Sequence, residues 1–109
     1  MSERSSFVTE YIYCSKCFEA AKAILSGDEK YLCAGQVKGY QLSPDGLPIV
    51  AGKHGGLGAK DDWGHFQKLM RRLSERICHP MRVAFIPESG PAICMMLRDK
   101  KAEVEVLHA

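Results

Sequence analysis

The segment that most constrains the fold is the amphipathic stretch at 62–77, DWGHFQKLMRRLSERI. Its apolar residues recur at steps of three and four, which predicts a helix with one apolar face and a cap at Asp61 or Asp62. These residues are Trp63, Phe66, Leu69, Met70, Leu73 and Ile77. A helix of this kind buries its apolar face against a second layer, so the flanking segments are expected to supply that layer.

The flanking segments have mostly β-type composition, and they are predicted to form strands at 6–13, 31–42, 47–52, 81–87, 91–99 and 101–109. In the last of these, Val104 and Val106 are expected to face the core. A shorter helix at 18–25 follows Ser15, a good capping residue. The predicted order is β-α-β-β-α-β-β-β. This order indicates an α+β fold, with two helices packed on one face of a mostly antiparallel sheet of about five or six strands.

The length of 109 residues suits one compact domain spanning 1–109. The net charge of +2 is too small to indicate a nucleic-acid binder by itself. The N-terminal residues show no apolar signal segment, and no apolar run reaches transmembrane length, so no membrane association is expected. The five cysteines are an odd number, which together with these features predicts a reduced, cytoplasmic protein.

The pair Cys14 and Cys17, in YCSKC, lies where the first strand meets the first helix. One hypothesis is half of a zinc site, which needs four ligands. Cys33 is a plausible third ligand, and either Cys78 or His79 a fourth. Neighbouring side chains are not expected to converge on one ion, and no second closely spaced cysteine pair is present. Zinc binding is therefore an alternative rather than the first prediction.

The succession of a strand, CSKC and a helix, with Pro48 further on, resembles the thioredoxin-like family. That resemblance implies a thiol-redox activity, because a helix N-terminus and Lys16 would favour the Cys14 thiolate. The chain departs from the family in enclosing Ser15-Lys16 and in placing three strands after its second helix. The interpretation that we favour for the whole set treats the cysteines as small apolar residues, with at least Cys17, Cys33 and Cys94 in the core.

Two further features suggest contact with a partner. The glycine-rich segment at 51–62 combines backbone freedom with positive groups, and the second helix carries a basic stripe. The candidate contact residues are Lys53, His54, Gly55, Gly56, Lys60, Lys68, Arg71, Arg72 and Arg76.

The sequence shows no recognisable set of nucleophile, base and orienting residue, so a non-enzymatic protein without a cofactor is predicted. The first functional prediction is a small binding or regulatory module that acts through a protein partner or as a homodimer. The alternatives are a nucleic-acid-binding protein using the basic face of the second helix, and a zinc-binding or thiol-redox protein using Cys14 and Cys17.

Overall fold

A computed structural model of the chain describes residues 4–25, 37–42, 47–55, 59–87 and 89–105. The described residues form six strands and two helices in the predicted order. In chain order they are β1 (Arg4–Thr9), α1 (Ser15–Leu25), β2 (Val37–Leu42), β3 (Val50–Gly55), α2 (Ala59–Ser74), β4 (Met81–Ile86), β5 (Ile93–Arg98) and β6 (Lys101–Val104).

Several element boundaries differ from the prediction. The first strand ends at Thr9, so residues 10–14 form an irregular link to α1 instead of continuing the strand. The glycine-rich segment at 51–62 is partly strand, because β3 extends to Gly55. The second helix spans Ala59–Ser74 rather than ending at Ile77. Residues 26–36, 43–46, 56–58 and 106–109, which include Cys33, Gly56 and Val106, lie outside the described residues.

The strands form one sheet in the order β2-β3-β1-β4-β5-β6, and each neighbouring pair is antiparallel. It follows that β1 and β2 run parallel with β3 between them, and that β3 and β4 run parallel with β1 between them. A helix joins each of these parallel pairs. The first six elements therefore make two interleaved split β-α-β units, the ferredoxin-like arrangement, and β5 and β6 extend the sheet as a meander.

Both helices cover the same face of the sheet and contact each other. The ring of Phe66 on α2 lies 6.0 Å from that of Phe7 and 4.7 Å from that of Phe85, measured between centroids. Because Phe7 and Phe85 are paired neighbours on β1 and β4, these rings join α2 to the centre of the sheet. On α1, Ala21 and Ile24 are fully buried. The predicted packing of two helices on one face is confirmed.

The outward face of the sheet carries Cys94, which shares a cross-strand row with Val8 and Ala84. Cys94 is half-buried there and takes no part in the core, so the prediction that it fills the core is wrong. Successive strand residues point to opposite faces, and on β5 the next residue, Met95, is the one that is buried. Val104 lies opposite Met95 but is 47% exposed, because β6 is the edge strand.

Among the residues that the structure describes, no helix is long and apolar enough to cross a membrane.

Candidate metal centre

The first half of the candidate site is the entrance to α1. Cys14 immediately precedes the helix, and its carbonyl oxygen accepts a hydrogen bond from the Phe18 N–H at 2.9 Å. The backbone N–H of Cys17 favours the thiolate form of Cys14 and lowers its pKa. Cys14 thus occupies the capping position that the sequence suggested for Ser15, which is instead the first helical residue. This arrangement directs the Cys14 and Cys17 sulfur atoms toward the same side of the helix start.

The second half is the connection between α2 and β4. The chain leaves the helix through backbone hydrogen bonds from Glu75 and Arg76 to the last turn, and Ile77 packs against the core. The next residue, Cys78, donates its backbone N–H to the Cys17 sulfur at 3.4 Å. The partly buried Ile77 and this hydrogen bond hold the connection against the entrance of α1.

Four potential ligand atoms converge between these two halves. The sulfur of Cys78 lies 3.3 Å from that of Cys14 and 3.8 Å from that of Cys17. It also lies 3.2 Å from Nδ1 of His79, and the four atoms are all within 4.8 Å of one another. Tetrahedral Zn²⁺ with its usual bond lengths would hold two sulfur atoms about 3.8 Å apart, and a sulfur and a nitrogen about 3.5 Å apart. The three separations measured from the Cys78 sulfur lie within about 0.5 Å of these values.

Hydrogen bonding within the cluster shifts the pKa values of Cys14 and Cys78 in opposite directions. The backbone N–H of Cys17, and then the Cys78 thiol, lower the pKa of Cys14 from 9.0 to about 6. The hydrogen bond to Cys14, and then that to Cys17, raise the pKa of Cys78 from 9.0 to about 11. The two shifts share one contribution, because Cys78 keeps its proton while donating it to the Cys14 thiolate. A cation at the centre would displace that proton.

Of the five metal ligands considered from the sequence, the structure brings together Cys14, Cys17, Cys78 and His79. Cys33 lies outside the described residues. Cys78 and His79 were expected to supply one ligand between them, but both reach the cluster. They lie in an irregular connection, where successive side chains are not forced apart as they are in a strand.

The predicted partner-contact residues lie elsewhere. Lys53 is exposed on β3, and its Nζ lies 3.3 Å from the Ser6 hydroxyl oxygen. His54 and Gly55 continue β3, with backbone pairing to the start of β1, whereas the cysteine cluster follows the end of β1. Gly56 lies outside the described residues, and Lys60 belongs to the first turn of α2.

The basic stripe is only partly formed on α2. Lys68 and Arg71 are exposed on the helix, and Arg72 is half-buried with its guanidinium 3.6 Å from the Glu75 carboxylate. Arg76 lies beyond the end of the helix. The structure therefore places three of the four predicted stripe residues on α2.

Two residues that the sequence analysis assigned to a strand are prominent beside the cluster. Tyr11 is 51% exposed and Tyr13 is 82% exposed, and the intervening Ile12 is buried. They line a groove of about 570 Å³ together with Cys14, His79 and Pro80. Residues 11–13 are all apolar or aromatic, so no alternation with polar residues indicated that two of them face solvent.

No protein-family model, curated protein or solved structure matches this chain.

Proposed function

We propose that the protein is a zinc-binding α+β module in which Cys14, Cys17, Cys78 and His79 hold one Zn²⁺ ion. The observation that carries this proposal is the convergence of three sulfur atoms and one imidazole nitrogen within 4.8 Å. Two of the ligands come from the start of α1 and two from the connection before β4. A set of four soft ligands gathered from two distant segments matches the donor set of structural zinc sites.

The chemistry of the four donor atoms and the short distances between them both favour zinc. Three thiolates and an imidazole exclude the hard cations Mg²⁺ and Ca²⁺, which prefer oxygen ligands. The sulfur atoms of Cys14 and Cys78 are in contact at 3.3 Å. Such close ligands surround a single ion, whereas an iron–sulfur cluster distributes its thiolates over several iron atoms.

A structural role fits better than a catalytic one. Catalytic zinc keeps one coordination position for water or substrate, whereas here four protein side chains would occupy all four positions of a tetrahedral ion. Cys17 is 1% exposed and anchors the site in the core. The ion would fasten the entrance of α1 to the segment leading into β4, and both segments border the groove beside Tyr13. This arrangement supports a binding module over an enzyme.

The proposal also bears on the cellular compartment. Zinc thiolates persist where thiols stay reduced, so the site is suited to the cytoplasm that the sequence predicts. A protein partner, a homodimer and a regulatory role remain predictions from the sequence.

The test is metal analysis of the protein purified without added chelator. Mass spectrometry of the metals should find about one zinc atom per chain, as expected for one four-ligand site. After zinc removal, Co²⁺ should restore a stoichiometric complex with the absorption bands of tetrahedral cobalt thiolates. Cys94→Ser is the matched control, because Cys94 lies on the other face of the sheet and should not alter either result.

A chain that is folded, carries no metal and takes up neither Zn²⁺ nor Co²⁺ would reject the proposal. If that chain also showed a Cys14–Cys17 disulfide that cycled with a thiol reductant, the redox alternative would replace it. Stoichiometric iron in place of zinc would keep the site but reject the assignment of the ion.

A further inference from the structure

One end of the sheet brings together segments that are far apart in the chain. The end of β1 and the start of α1 lie there, beside the start of β4 and the β5–β6 turn. The candidate metal cluster occupies the same end. We call this surface the cysteine end, and we define it by the groove residues Tyr11 and Tyr13 and by the turn residues Arg98, Lys100 and Lys101.

The tyrosines are held outward by a well-anchored backbone. Ile12, between them, is 5% exposed, and its N–H donates to the Pro48 carbonyl oxygen at 2.7 Å. The centroids of the Tyr11 and Tyr13 rings are 6.1 Å apart. Large rings kept in water on a fixed backbone are a common feature of recognition surfaces, because they bind a partner without much loss of side-chain entropy.

The turn between β5 and β6 adds positive charge next to this groove. Arg98 and Lys100 line a hollow of about 260 Å³ whose lining also includes the acidic residues Glu75 and Asp99. His79 and Pro80 line both this hollow and the tyrosine groove, so the two cations lie next to the exposed rings. Within the described part of the chain, no ion pair involves Arg98, Lys100 or Lys101.

The backbone conformation of the β5–β6 turn supports a binding role for its positive charge. Asp99 and Lys100 have φ values of 52° and 62°, in the left-handed region where glycine or asparagine is usual. A lysine in that conformation strains the turn without improving its packing, and Lys100 is exposed. Strain that the fold maintains at an exposed cation is a reason to look for a ligand of that cation.

We propose that the cysteine end binds single-stranded nucleic acid, with bases stacked on Tyr11 and Tyr13 and phosphates bound by Arg98, Lys100 and Lys101. Aromatic platforms beside unpaired cations are the recurring means of binding single strands. A duplex would use the cations but leave the rings without bases, since its bases are stacked on one another.

The other surfaces fit this ligand less well. On the open face of the sheet, the outward residues of β1 and β4 include Ser6, Val8, Arg82 and Ala84, and no ring among them could receive a base. Arg82 is paired with Glu105 at 2.8 Å. The proposal goes beyond zinc binding and does not depend on it, because its five residues are not metal ligands.

The test is fluorescence anisotropy with a labelled single-stranded 12-mer, as DNA and as RNA, at about 50 mM salt. Binding should weaken steeply as salt rises. Tyr13→Ala should weaken it roughly tenfold, and Tyr13→Phe, which keeps the ring, should not. Because Tyr13 is 82% exposed, these changes should leave the fold intact, and thermal melting checks this.

Two double variants distinguish an effect of the charge at the β5–β6 turn from an effect of the total charge of the protein. The double variant Arg98→Glu with Lys100→Glu should weaken binding at least tenfold, because it removes roughly two contacts with phosphate groups. Lys68→Glu with Arg71→Glu changes the total charge equally on the exposed side of α2 and should have little effect. Lys100→Gly suits the turn backbone while removing one cation, so it should weaken binding without unfolding the chain.

Four results would overturn the proposal. These are no binding at low salt, equal losses in the two double variants, tighter binding to the same sequence as a duplex, and equal or tighter binding of polyglutamate of matched charge. The last result would point to an acidic protein partner. Zinc content and zinc uptake are measured on the same samples, so a chain that takes up no zinc but still binds the 12-mer would reject the zinc site alone.

Discussion

The sulfur of Cys14 lies 3.3 Å from the sulfur of Cys78, although 64 residues separate them in the chain. No local spacing brings them together, because Cys14 precedes α1 and Cys78 follows α2. Their contact arises because β1 and β4 are neighbours in the sheet and the two helices lie side by side on one face. The cluster is thus a product of the tertiary fold.

Replacing Cys78 by Ser should remove the metal and lower the melting temperature. Cys78 is exposed, so the change removes a ligand without opening a cavity in the core. Loss of a tightly bound ligand that stabilises only the folded state should lower the melting temperature by roughly 10 °C. Differential scanning calorimetry with and without a chelator measures the effect.

Cys94→Ser is the control for that experiment. It should retain zinc and lose it to the chelator as the unmodified chain does, since Cys94 is outside the cluster. If Cys78→Ser melted as the unmodified chain does and kept its zinc, the ligand assignment would be wrong.

In the metal-free protein, Cys14 should be the most reactive thiol of the cluster at neutral pH. Its pKa of about 6 makes it largely thiolate at pH 7, whereas the pKa of Cys78, about 11, keeps that thiol protonated. Alkylation of Cys14 should slow as the pH falls through 6, because the thiolate then gains a proton. Timed iodoacetamide labelling followed by peptide mass spectrometry gives each rate.

Bound zinc should protect both thiols from alkylation, so the same labelling of the zinc-loaded chain is the reference. A faster reaction at Cys78 than at Cys14 at pH 7 would contradict the hydrogen-bond direction described for the pair.

Replacing Lys100 by Gly should stabilise the protein by about 1 kcal/mol, because glycine adopts a φ of 62° without steric cost. Lys68→Gly is a matched change at an exposed position inside α2, and it should destabilise by about 1 kcal/mol. Urea unfolding of the two variants should therefore give opposite signs. A loss of stability in both would show that Lys100 makes contacts beyond those of its turn.

Replacing Thr9 by Val should destabilise the protein by about 1–3 kcal/mol, by leaving a buried donor unsatisfied. The Thr9 hydroxyl accepts the Val50 N–H at 2.9 Å where β3 begins, and Thr9 is 4% exposed. Thr9→Ser retains the oxygen and loses one methyl group, so it should cost about 1 kcal/mol or less. If Thr9→Val and Thr9→Ser lowered the free energy of unfolding in urea equally, the loss of stability would be due to packing rather than to the hydrogen bond.

The general architecture was predictable because each helix and most strands have their own periodicity. Phe66, Leu69 and Leu73 recur as one helical face, and all three are buried as expected. Strand boundaries were less predictable. The residues Tyr11-Ile12-Tyr13 have the composition of a strand, but the ladder of β1 with β4 stops at Thr9 and the chain turns toward α1.

The four residues of the cluster were identified from the sequence as candidate metal ligands, but their convergence was not predictable. The spacing of Cys14 and Cys17 is recognisable in the sequence as that of a ligand or redox pair. Cys78 and His79 join the cluster only because the fold places the α2–β4 connection beside the start of α1. Residue types alone did not indicate the exposure of Tyr13 or the left-handed conformation of Lys100. Both depend on the local course of the backbone, which these side chains do not determine.

The interleaved order of the strands has a consequence for protein synthesis. A ribosome releases Cys14 and Cys17 well before Cys78 and His79 have been made. Until then the nascent chain would have only two of the four proposed zinc ligands. Complete coordination at the proposed site would therefore require translation of residue 79, which follows α2 and precedes β4.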